Sequence, residues 1–434
     1  MRMMRDAIRR LASIGGALVI LLTRAWAQQP ASPLEASYAA YMAMKKVSPF
    51  NLQWVQLGPA VNSARADVVF GDPSHPGTMY AGFGSGGLWK TTNHGVSWSP
   101  IFENMSAPGI GDAELAPSDP SVIYVGTGEN LKKPRNFTLP GTGMFRSGDG
   151  GKTWRHIGLE DSWSIAEIAV HPRNPDIVMV AVLGHLWSAN ENRGVYRTTD
   201  GGKHWQRVLY KNGSTGANDV VISPSDPRVM YASLWEVHRG VSGTNSGVYK
   251  SNDGGKTWAP INSGLPTGPK MGRTGLTVSA KDPRKVYALI DNLANARDEA
   301  AELYRSIDGG LHWTRTHAKP FMIFPGIGWY FTDVYLDPKD DEEVYCLGVR
   351  LAHSKDGGKT FSYIGGQVAH AQAGAAQSIT LDGSNATSVD RYYNGLLLKI
   401  TSGTGLGQVR RIAHYVGSSK IAYLNAPWAT NPDN

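Results

Sequence analysis

One turn sequence recurs six times along this chain of 434 residues. In its fullest form it reads Ser/Thr, any residue, Asp, Gly, Gly, Lys, Thr, Trp, and the copies occupy residues 91–98, 147–154, 198–205, 251–258, 306–313 and 354–361. Self-similarity at a spacing of about 50 residues indicates a repeated structural unit. The fold must therefore accommodate six similar units.

A proline turn recurs in phase with this repeat. Asp72-Pro73 and Asp282-Pro283 are examples, and each copy precedes a run of β-forming residues. Each unit then reads strand, proline turn, strand, variable loop, strand, Asp-Gly-Gly turn and strand. Gly and Pro are abundant, and charged residues make up only 18% of the chain. The pattern predicts an all-β fold, a β-propeller of six recognisable four-stranded blades in a six- or seven-bladed ring, complete or incomplete.

The Asp-Gly-Gly turn has a local physical explanation. The Asp carboxylate can accept hydrogen bonds from its own turn, and glycine adopts positive φ without strain. The aromatic residue at the end is expected to pack between adjacent sheets. We therefore assign structural rather than catalytic or metal-binding roles to the turn residues Asn93, Asp149, Asp200, Asp253, Asp308 and Asp356, and to the aromatic residues Trp98, Trp154, Trp205, Trp258, Trp313 and Phe361.

The sequence predicts neither a metal nor a cofactor. The only cysteine, Cys346, excludes an intrachain disulfide and a zinc site built from several thiolates, and its place in a predicted strand favours burial. Six acidic turns distributed around a ring do not converge on one cation. The basic residues are dispersed rather than clustered, so we expect no nucleic-acid partner.

Residues 1–27 are typical of an export signal. Four arginines precede the apolar stretch 11–22, and Ala25-Trp26-Ala27 has the small residues of a signal-peptidase site. Without residues 1–27 the chain has 38 basic and 35 acidic residues, a net charge of +3. The apolar stretch is too short for a stable transmembrane helix, so we expect an exported protein, periplasmic or secreted, with no transmembrane segment in its mature form.

The turn repeat is the Asp box, or BNR repeat. Residues 40–364 resemble the bacterial Asp-box propellers of the sortilin N-terminal-like or BNR glycosyl-hydrolase-like family. The segments that carry this resemblance are 52–59, 86–91, 122–129, 156–161 and 183–187. The resemblance implies a propeller fold and leaves the activity open.

The repeat ends after Tyr363. Four short strand-like runs follow without an Asp box, and residues 400–433 resemble a small β-module of phage-associated structural proteins. The sequence leaves open a natural fusion or an artefact, and an incomplete ring or one whose seventh position the module fills. The predicted organisation is a signal peptide (1–27), an N-terminal extension (28–50), a propeller (51–364), a linker (365–377) and a small β-module (378–434).

The variable loops are the place to search for a ligand site. The proline turns and Asp boxes lie on one face of a propeller, and the variable loops lie on the other. Aromatic and charged side chains together there could bind a sugar or a peptide. The candidate ligand-binding residues on this face are Glu129, His185, Trp187, Trp235, Arg239, Trp329 and Tyr330.

No catalytic residue is assigned. Asp-box endoglucanases carry a catalytic Asp in a segment similar to Tyr80–Gly87, where this chain has Gly84. The arginine triad of sialidases has no matching segment either. We therefore expect an exported module, non-catalytic, that binds a protein, peptide or glycan. The first alternative is a glycoside hydrolase acting on extracellular polysaccharide, and the second is an extracytoplasmic assembly factor.

Cleavage of the signal peptide can be tested directly. Expression of the whole chain in a bacterial host should give exported material whose N-terminus is Gln28, because cleavage is expected after Ala27. Mass spectrometry of the intact protein measures this. Recovery of the chain in the cytosol with Met1 retained would contradict export.

Overall fold

A computed structural model describes residues 33–47, 65–130, 138–238, 241–295, 300–318, 321–324, 327–364, 370–384, 386–394 and 396–433. The predicted signal peptide lies outside these ranges. The chain divides into two compact units, one ending at Ile364 and the other beginning at Gly365.

A helix, α1 (Pro33–Val47), precedes the first strand. The helix begins with a proline, a residue favoured at the first helical position. The helix macrodipole favours the negative charge of Glu35 in the first turn and the positive charges of Lys45 and Lys46 in the last turn. Its glutamate accepts a hydrogen bond from the Ser106 hydroxyl, and the Tyr38 hydroxyl donates to a carbonyl of the first blade's final loop. The sequence analysis did not predict this helix.

Six antiparallel sheets follow, each with consecutive strands as neighbours. Blade 1 contains β1 (Ala66–Gly71), β2 (Met79–Phe83), β3 (Gly87–Thr91) and β4 (Ser99–Pro100); blade 2 contains β5 (Ile110–Ala116), β6 (Asp119–Thr127), β7 (Met144–Ser147) and β8 (Arg155–His156); blade 3 contains β9 (Ile165–Val170), β10 (Val178–Val182), β11 (Gly194–Thr198) and β12 (Gln206–Leu209).

Blades 4 to 6 repeat this plan. Blade 4 contains β13 (Thr215–Ile222), β14 (Met230–His238), the short β15 (Val241–Ser242), β16 (Gly247–Ser251) and β17 (Ala259–Pro260); blade 5 contains β18 (Met271–Val278), β19 (Val286–Asn292), β20 (Ala301–Ser306) and β21 (Thr314–Arg315); blade 6 contains β22 (Asp333–Leu336), β23 (Val344–Leu347), β24 (Leu351–Ser354) and β25 (Ser362–Ile364). Short 3₁₀ turns occupy Glu160–Ser162 and Gly268–Lys270. The predicted all-β propeller is confirmed.

Each Asp box closes its turn with its own side chains. In the second copy, the Ser147 hydroxyl donates to Asp149 Oδ1 at 2.7 Å and accepts from the Gly151 amide at 2.9 Å, and the same carboxylate oxygen accepts from the Thr153 amide at 2.9 Å. Gly150 and Gly151 have φ angles of 70° and 88°, which favour glycine. Hydrogen bonds to the carboxylate lower the pKa of Asp149 to about 2.

Apolar cores lie between consecutive blades. Five clusters of buried side chains join blades 1 and 2, 2 and 3, 3 and 4, 4 and 5, and 5 and 6. Trp205 packs against the cluster between blades 2 and 3, and its indole donates to the Ile157 carbonyl at 2.6 Å. Cys346 is fully buried between blades 5 and 6. Each blade is thus stabilised mainly by its neighbours in the chain.

Buried tyrosines tie blades 2 and 4 to the proline turns of blades 3 and 5. Tyr124 and Tyr231 donate to the carbonyls of Pro175 and Pro283, both at 2.8 Å. Their rings are fully buried, and burial raises the pKa of Tyr124. Within blade 3, a hydrogen bond from the Gly201 amide to the Asp176 carbonyl at 3.0 Å also joins the Asp-box turn to the proline turn.

Blades 6 and 1 make no comparable core within the described residues. Tyr335 on β22 is 55% exposed and Val69 on β1 is 68% exposed. The connection that the structure shows between them is polar: Arg65 Nε donates to the Tyr330 hydroxyl at 3.0 Å, and that hydroxyl donates to Asp67 Oδ1 at 2.7 Å.

The second unit is a five-stranded sheet with the order β26-β27-β30-β29-β28. Its strands are β26 (Ala373–Ala375), β27 (Ser378–Thr380), β28 (Leu397–Lys399), β29 (Val409–Val416) and β30 (Ile421–Leu424). Strand β26 lies within residues 365–377, which the sequence analysis assigned to a linker. Its three small, exposed residues show no alternation of apolar and polar side chains that a sequence pattern could detect. No helix in the described part of the chain is long and apolar enough to cross a membrane.

Removing an aromatic anchor should destabilise the propeller. For Trp205→Ala we expect a loss of about 2 to 4 kcal/mol, because the half-buried indole leaves a cavity between blades 2 and 3. Trp205→Phe retains most of the ring and should lose only about 1 kcal/mol with the hydrogen bond. Urea unfolding of both variants measures this. Equal stabilities of Trp205→Ala and the unsubstituted protein would contradict the packing role.

Candidate functional site

A pocket opens on the variable-loop face between blades 2 and 3. It is a shallow pocket of about 290 Å³ when the open space at its mouth is included. Its lining comes from residues 138–140, 163–164, 184 and 186–187, and from Glu129. Leu139 and Leu186 add apolar surface, and the exposed Trp187 stands at the rim with 66% of its surface accessible. Apolar and aromatic walls with a few polar groups are typical of a small-molecule or sugar site.

Backbone geometry holds one wall of this pocket in place. Trp163 has φ 59° and ψ −36°, an uncommon conformation for a bulky residue. Its carbonyl accepts from the Gly141 amide at 2.8 Å, and a Cβ at Gly128 would lie only 1.9 Å from that oxygen. The indole stacks on His185 with ring centroids 4.2 Å apart, and His185 Nε2 lies 2.7 Å from Asp161 Oδ1. These contacts position the indole before any ligand arrives.

The opposite wall depends on a buried arginine. Arg193 donates to the carbonyls of Leu183 at 2.5 Å, His185 at 2.6 Å and Ser188 at 2.9 Å. Burial lowers the pKa of Arg193 to about 10, which leaves it charged at neutral pH. The guanidinium thus fixes the loop that carries Trp187.

Glu129 is fully buried behind the pocket. Its carboxylate forms an ion pair with Arg65, and its carbonyl accepts from the Ser164 hydroxyl at 2.8 Å. The Tyr330 hydroxyl lies 3.4 Å from Glu129 Oε1 and bridges to Asp67.

Asp67 and Glu129 meet around Gly84. A Cβ built on Gly84 would lie 2.8 Å from Asp67 Oδ2 and 2.9 Å from Glu129 Oε1, so both oxygens border the volume of a single methyl group. Burial raises the pKa of Asp67 to about 7, against the opposing effects of Tyr330, Arg273 and Arg65. A side chain at position 84 would require the space that they occupy.

The predicted ligand residues have different positions relative to the pocket. Glu129 and Trp187 line the pocket, His185 supports its wall, and Tyr330 bridges the two carboxyl groups. Trp235 is buried, with its indole donating to the Ser242 hydroxyl at 2.8 Å, so a packing role replaces its predicted ligand contact.

The two remaining predicted ligand residues are Trp329 and Arg239. Trp329 is half-buried, with its ring 6.0 Å from that of Tyr330, and Arg239 lies outside the described residues. Sequence reasoning missed Trp163, Asp67 and Arg65. Trp163 lies in the connection between blades 2 and 3. Including this connection in the search of the variable loops would have identified its aromatic residue as a candidate.

A second polar feature lies on the propeller axis. The first strand of each blade faces the axis, and five of these strands contribute carboxyl groups, whereas β18 contributes Arg273. We call the following residues the axial acidic cluster: Asp67, Asp112, Glu114, Glu167, Asp219 and Asp333.

Several of these carboxylates join neighbouring blades. Asp112 Oδ2 accepts from the Ile168 amide at 2.6 Å, and Asp219 Oδ2 accepts from the Leu276 amide at 2.7 Å. The amides belong to the inner strand of the next blade, whose edge has no further strand to pair with. Glu114 does the same with the Val170 amide at 2.9 Å. Side chains thus satisfy backbone donors that a sheet edge leaves unpaired.

Comparison with known proteins assigns the fold to a family. The Sortilin-Vps10 family model, described as sortilin, neurotensin receptor 3, matches residues 86–214 and 193–359, more than half of the chain. This chain belongs to the Sortilin-Vps10 family. The predicted resemblance to sortilin-like Asp-box propellers is therefore confirmed.

Curated relatives of this Sortilin-Vps10 chain are named as xyloglucanases. The chain is 24% identical over 376 residues to the xyloglucanase of Paenibacillus sp, covering 70% of this chain and 35% of that protein. It is 22% identical over 356 residues to a xyloglucanase of Acetivibrio thermocellus, covering 64% of this chain and 39% of that protein. It thus spans well under half the length of these two relatives.

Solved structures agree on the fold of this Sortilin-Vps10 member. An ancestral GH74 enzyme aligns with a TM-score of 0.54 at 19% identity, covering 75% of this chain and 41% of that chain. The GH74 enzyme of Niastella koreensis aligns with a TM-score of 0.50 at 15% identity, covering 84% of this chain and 60% of that chain. At these identities the likeness shows the propeller fold alone.

The axial acidic cluster should make stability fall as pH rises. Burial raises the pKa of Asp67 to about 7 and the pKa values of Glu114 and Asp219 to about 8, whereas unfolded carboxyl groups titrate with a pKa of about 4. The folded state then binds protons more tightly than the unfolded state, so this stabilisation is fully present below pH about 4 and is lost as pH rises through about 7 to 8.

We therefore expect the melting temperature to fall between pH 6 and pH 9, measured by calorimetry in buffers of equal ionic strength. Asp219→Asn retains an acceptor for the Leu276 amide and should flatten this dependence. Asp119→Asn changes an exposed carboxyl group and serves as the control. A melting temperature independent of pH over this range would contradict the assignment.

Proposed function

We propose that this chain acts on a glycan, as a propeller of glycoside-hydrolase type. The observation that carries the proposal is the pocket between blades 2 and 3, whose lining includes Trp163, Trp187 and Glu129. Aromatic faces pack against the apolar faces of sugar rings, and polar groups at the base can orient hydroxyl groups. The xyloglucanase names of the relatives support a β-glucan over a protein or peptide as the ligand.

Hydrolysis is the reaction class that the relatives favour, and the pair formed by Asp67 and Glu129 supports it. Retaining glycosidases use two carboxyl groups about 5 to 5.5 Å apart, one protonated and one ionised. Here both carboxyl groups border the single Cβ volume at Gly84, burial raises the pKa of Asp67 to about 7, and Arg65 pairs with Glu129. Asp67 is the candidate acid and Glu129 the candidate nucleophile or base. Asp-box endoglucanases have a catalytic Asp at the position of Gly84. In this chain the two candidate carboxyl groups belong instead to Asp67 and Glu129, which lie beside Gly84.

Export belongs to the same proposal. A polysaccharide is an extracellular substrate, and residues 1–27 have the pattern of a signal peptide. The exported protein would then meet its glycan in the periplasm or outside the cell.

Binding and hydrolysis can be measured separately on the purified protein. Isothermal titration with xyloglucan oligosaccharides and with cello-oligosaccharides should give saturable binding. Trp187→Ala should weaken it roughly 30-fold, about 2 kcal/mol, because the exposed indole supplies one side of the pocket. Leu311→Ala, an exposed apolar residue in an Asp-box turn, is the control. Unchanged affinity in Trp187→Ala would exclude this pocket.

Release of reducing sugar from xyloglucan tests the reaction. Asp67→Asn and Glu129→Gln should each reduce it at least about a hundredfold while oligosaccharide binding persists. Binding without any sugar release by the unsubstituted protein would retain the glycan-binding function and eliminate the hydrolase. Absence of both would contradict a glycan-directed function.

A further inference from the structure

The Tyr330 hydroxyl lies between two carboxyl groups and one arginine. It donates to Asp67 Oδ1 at 2.7 Å, lies 3.4 Å from Glu129 Oε1, and accepts from Arg65 Nε at 3.0 Å. The Arg65 guanidinium also forms the ion pair with Glu129. A single phenol oxygen is therefore within hydrogen-bond reach of both carboxyl groups that the proposed hydrolase requires.

The one proton of this hydroxyl cannot bind both carboxyl groups at once. A phenol has one O–H donor, and its oxygen can accept two hydrogen bonds, whereas an ionised carboxylate can only accept. The Tyr330 hydroxyl therefore donates either to Asp67 or to Glu129. The distances of 2.7 Å and 3.4 Å show the first of these two arrangements.

Protonation of Asp67 should produce the second arrangement. A protonated carboxyl group becomes a donor, so Asp67 would then donate to the Tyr330 oxygen and leave the tyrosine's own proton without its partner. Glu129 Oε1, 3.4 Å away, is the acceptor that the proton can turn to. The Tyr330 oxygen can accept from Arg65 Nε and from the protonated Asp67 together. Both arrangements thus satisfy the hydroxyl.

The surroundings hold the phenol ring in place between the two carboxyl groups. Tyr330 is 6% exposed, and its ring packs edge-on against Phe331 with ring centroids 4.2 Å apart. The Tyr330 amide donates to the Ile327 carbonyl at 3.0 Å, and the Thr332 hydroxyl donates to the Gly328 carbonyl at 2.7 Å. The hydroxyl can therefore change its partner by rotating about the C–O bond, without movement of the ring.

The charges around the hydroxyl allow Asp67 to exist in both protonation states. Burial raises the pKa of Asp67 to about 7, whereas the hydrogen bond from Tyr330, Arg273 and Arg65 lower it, and Asp333 raises it. The ionisable groups that face the hydroxyl or Asp67 are Arg65 before β1, Asp67 on β1, Glu129 after β6, Arg273 on β18 and Asp333 on β22. A change of protonation near neutral pH would require the hydroxyl to change its partner.

We propose that Tyr330 is a positioning residue of the hydrolase, whose hydroxyl donates to whichever of Asp67 and Glu129 is ionised at each step. While Asp67 holds the proton for the leaving group, the hydroxyl donates to the ionised Glu129. Once Asp67 has given that proton to the leaving-group oxygen, the hydroxyl donates to the Asp67 carboxylate. Asp67 then takes a proton from the attacking water, which restores the first arrangement. This role rests on the proposed hydrolase function, whereas the change of hydrogen-bond partner can be measured without any substrate.

The first experiment follows the ionisation of Asp67 by NMR in protein labelled with ¹³C at the aspartate Cγ, with Asp67→Asn identifying the resonance. Tyr330→Phe removes the hydroxyl and keeps the ring. A hydrogen bond to a carboxylate is stronger than one to a neutral acid, so its loss should raise the titration midpoint of Asp67 by at least about one pH unit.

A second tyrosine provides the matched control. The Tyr304 hydroxyl donates to another buried carboxylate, Glu302 Oε2, at 2.5 Å. Tyr304→Phe therefore removes the same kind of hydrogen bond elsewhere in the propeller. It should leave the titration midpoint of Asp67 unchanged.

A second measurement requires no substitution of Tyr330. In the unsubstituted protein, the Tyr330 Cζ resonance can be assigned through the contact of its ring with Phe331. This resonance should shift between about pH 5 and pH 9 with the same midpoint as Asp67, because the hydroxyl changes its partner when Asp67 ionises. The measurement keeps the proposal testable even if Tyr330→Phe folds poorly.

Kinetics test the role of Tyr330 in the reaction. A general acid must be protonated, so the alkaline limb of kcat for xyloglucan hydrolysis reports the ionisation of Asp67. In Tyr330→Phe this limb should move to higher pH by as much as the NMR midpoint of Asp67 does. KM should change less than about twofold, because the hydroxyl contacts the two carboxyl groups rather than the sugar.

Two NMR results would overturn the proposal. One is an Asp67 midpoint that is the same in Tyr330→Phe and in the unsubstituted protein, and the other is a Tyr330 Cζ resonance that does not respond when Asp67 ionises. Absence of sugar release by the unsubstituted protein, with both NMR results as expected, would contradict the hydrolase and the role of Tyr330 in it. The change of hydrogen-bond partner would then stand without the reaction, so the two failures are distinguishable.

Discussion

A four-stranded sheet with two apolar faces is unstable until both faces are covered, and this constraint shapes the whole propeller. The chain meets it by placing consecutive blades side by side, with a shared core between each pair from blades 1 and 2 to blades 5 and 6. Radial packing leaves the inner strand edges unpaired around the axis. Carboxylates such as Asp112 and Asp219 satisfy the amides there, and the acidic axis is a consequence of that solution.

Local chemistry explains why the fold could be predicted from the sequence. The Asp-box turn at Asp149 is closed by hydrogen bonds among residues 147–153, so its signature is contiguous and repeats with the blade. The strand β26 and the helix α1 were not predicted, because one has small exposed residues and the other lies outside the repeat. Both elements form through packing with other parts of the chain, which the repeated sequence pattern does not describe.

The site could be predicted only in part, for the same reason. Glu129 and Trp187 lie in variable loops of adjacent blades, a location that propeller topology identifies. The contacts of Glu129 with Arg65 and Tyr330 join residues of blades 1, 2 and 6 that are distant in the chain, and they form only when the ring assembles. Trp235 illustrates the reverse case: the structure places it in strand β14 rather than in a loop, and buries it with its indole donating to the Ser242 hydroxyl.

Nearest-neighbour packing also governs how such a molecule comes apart. Each interior blade shares two cores, whereas blade 6 has one apolar face covered by blade 5 and carries the exposed Tyr335 on its other face. In a linear array of coupled units, fraying begins at the ends and the interior opens last. Blades 2 and 3, which hold the pocket, lie in the protected interior. Local opening at the blade 6 end would therefore break the contacts of Tyr330 with Asp67 and Glu129 first, while the packing between blades 2 and 3 persists.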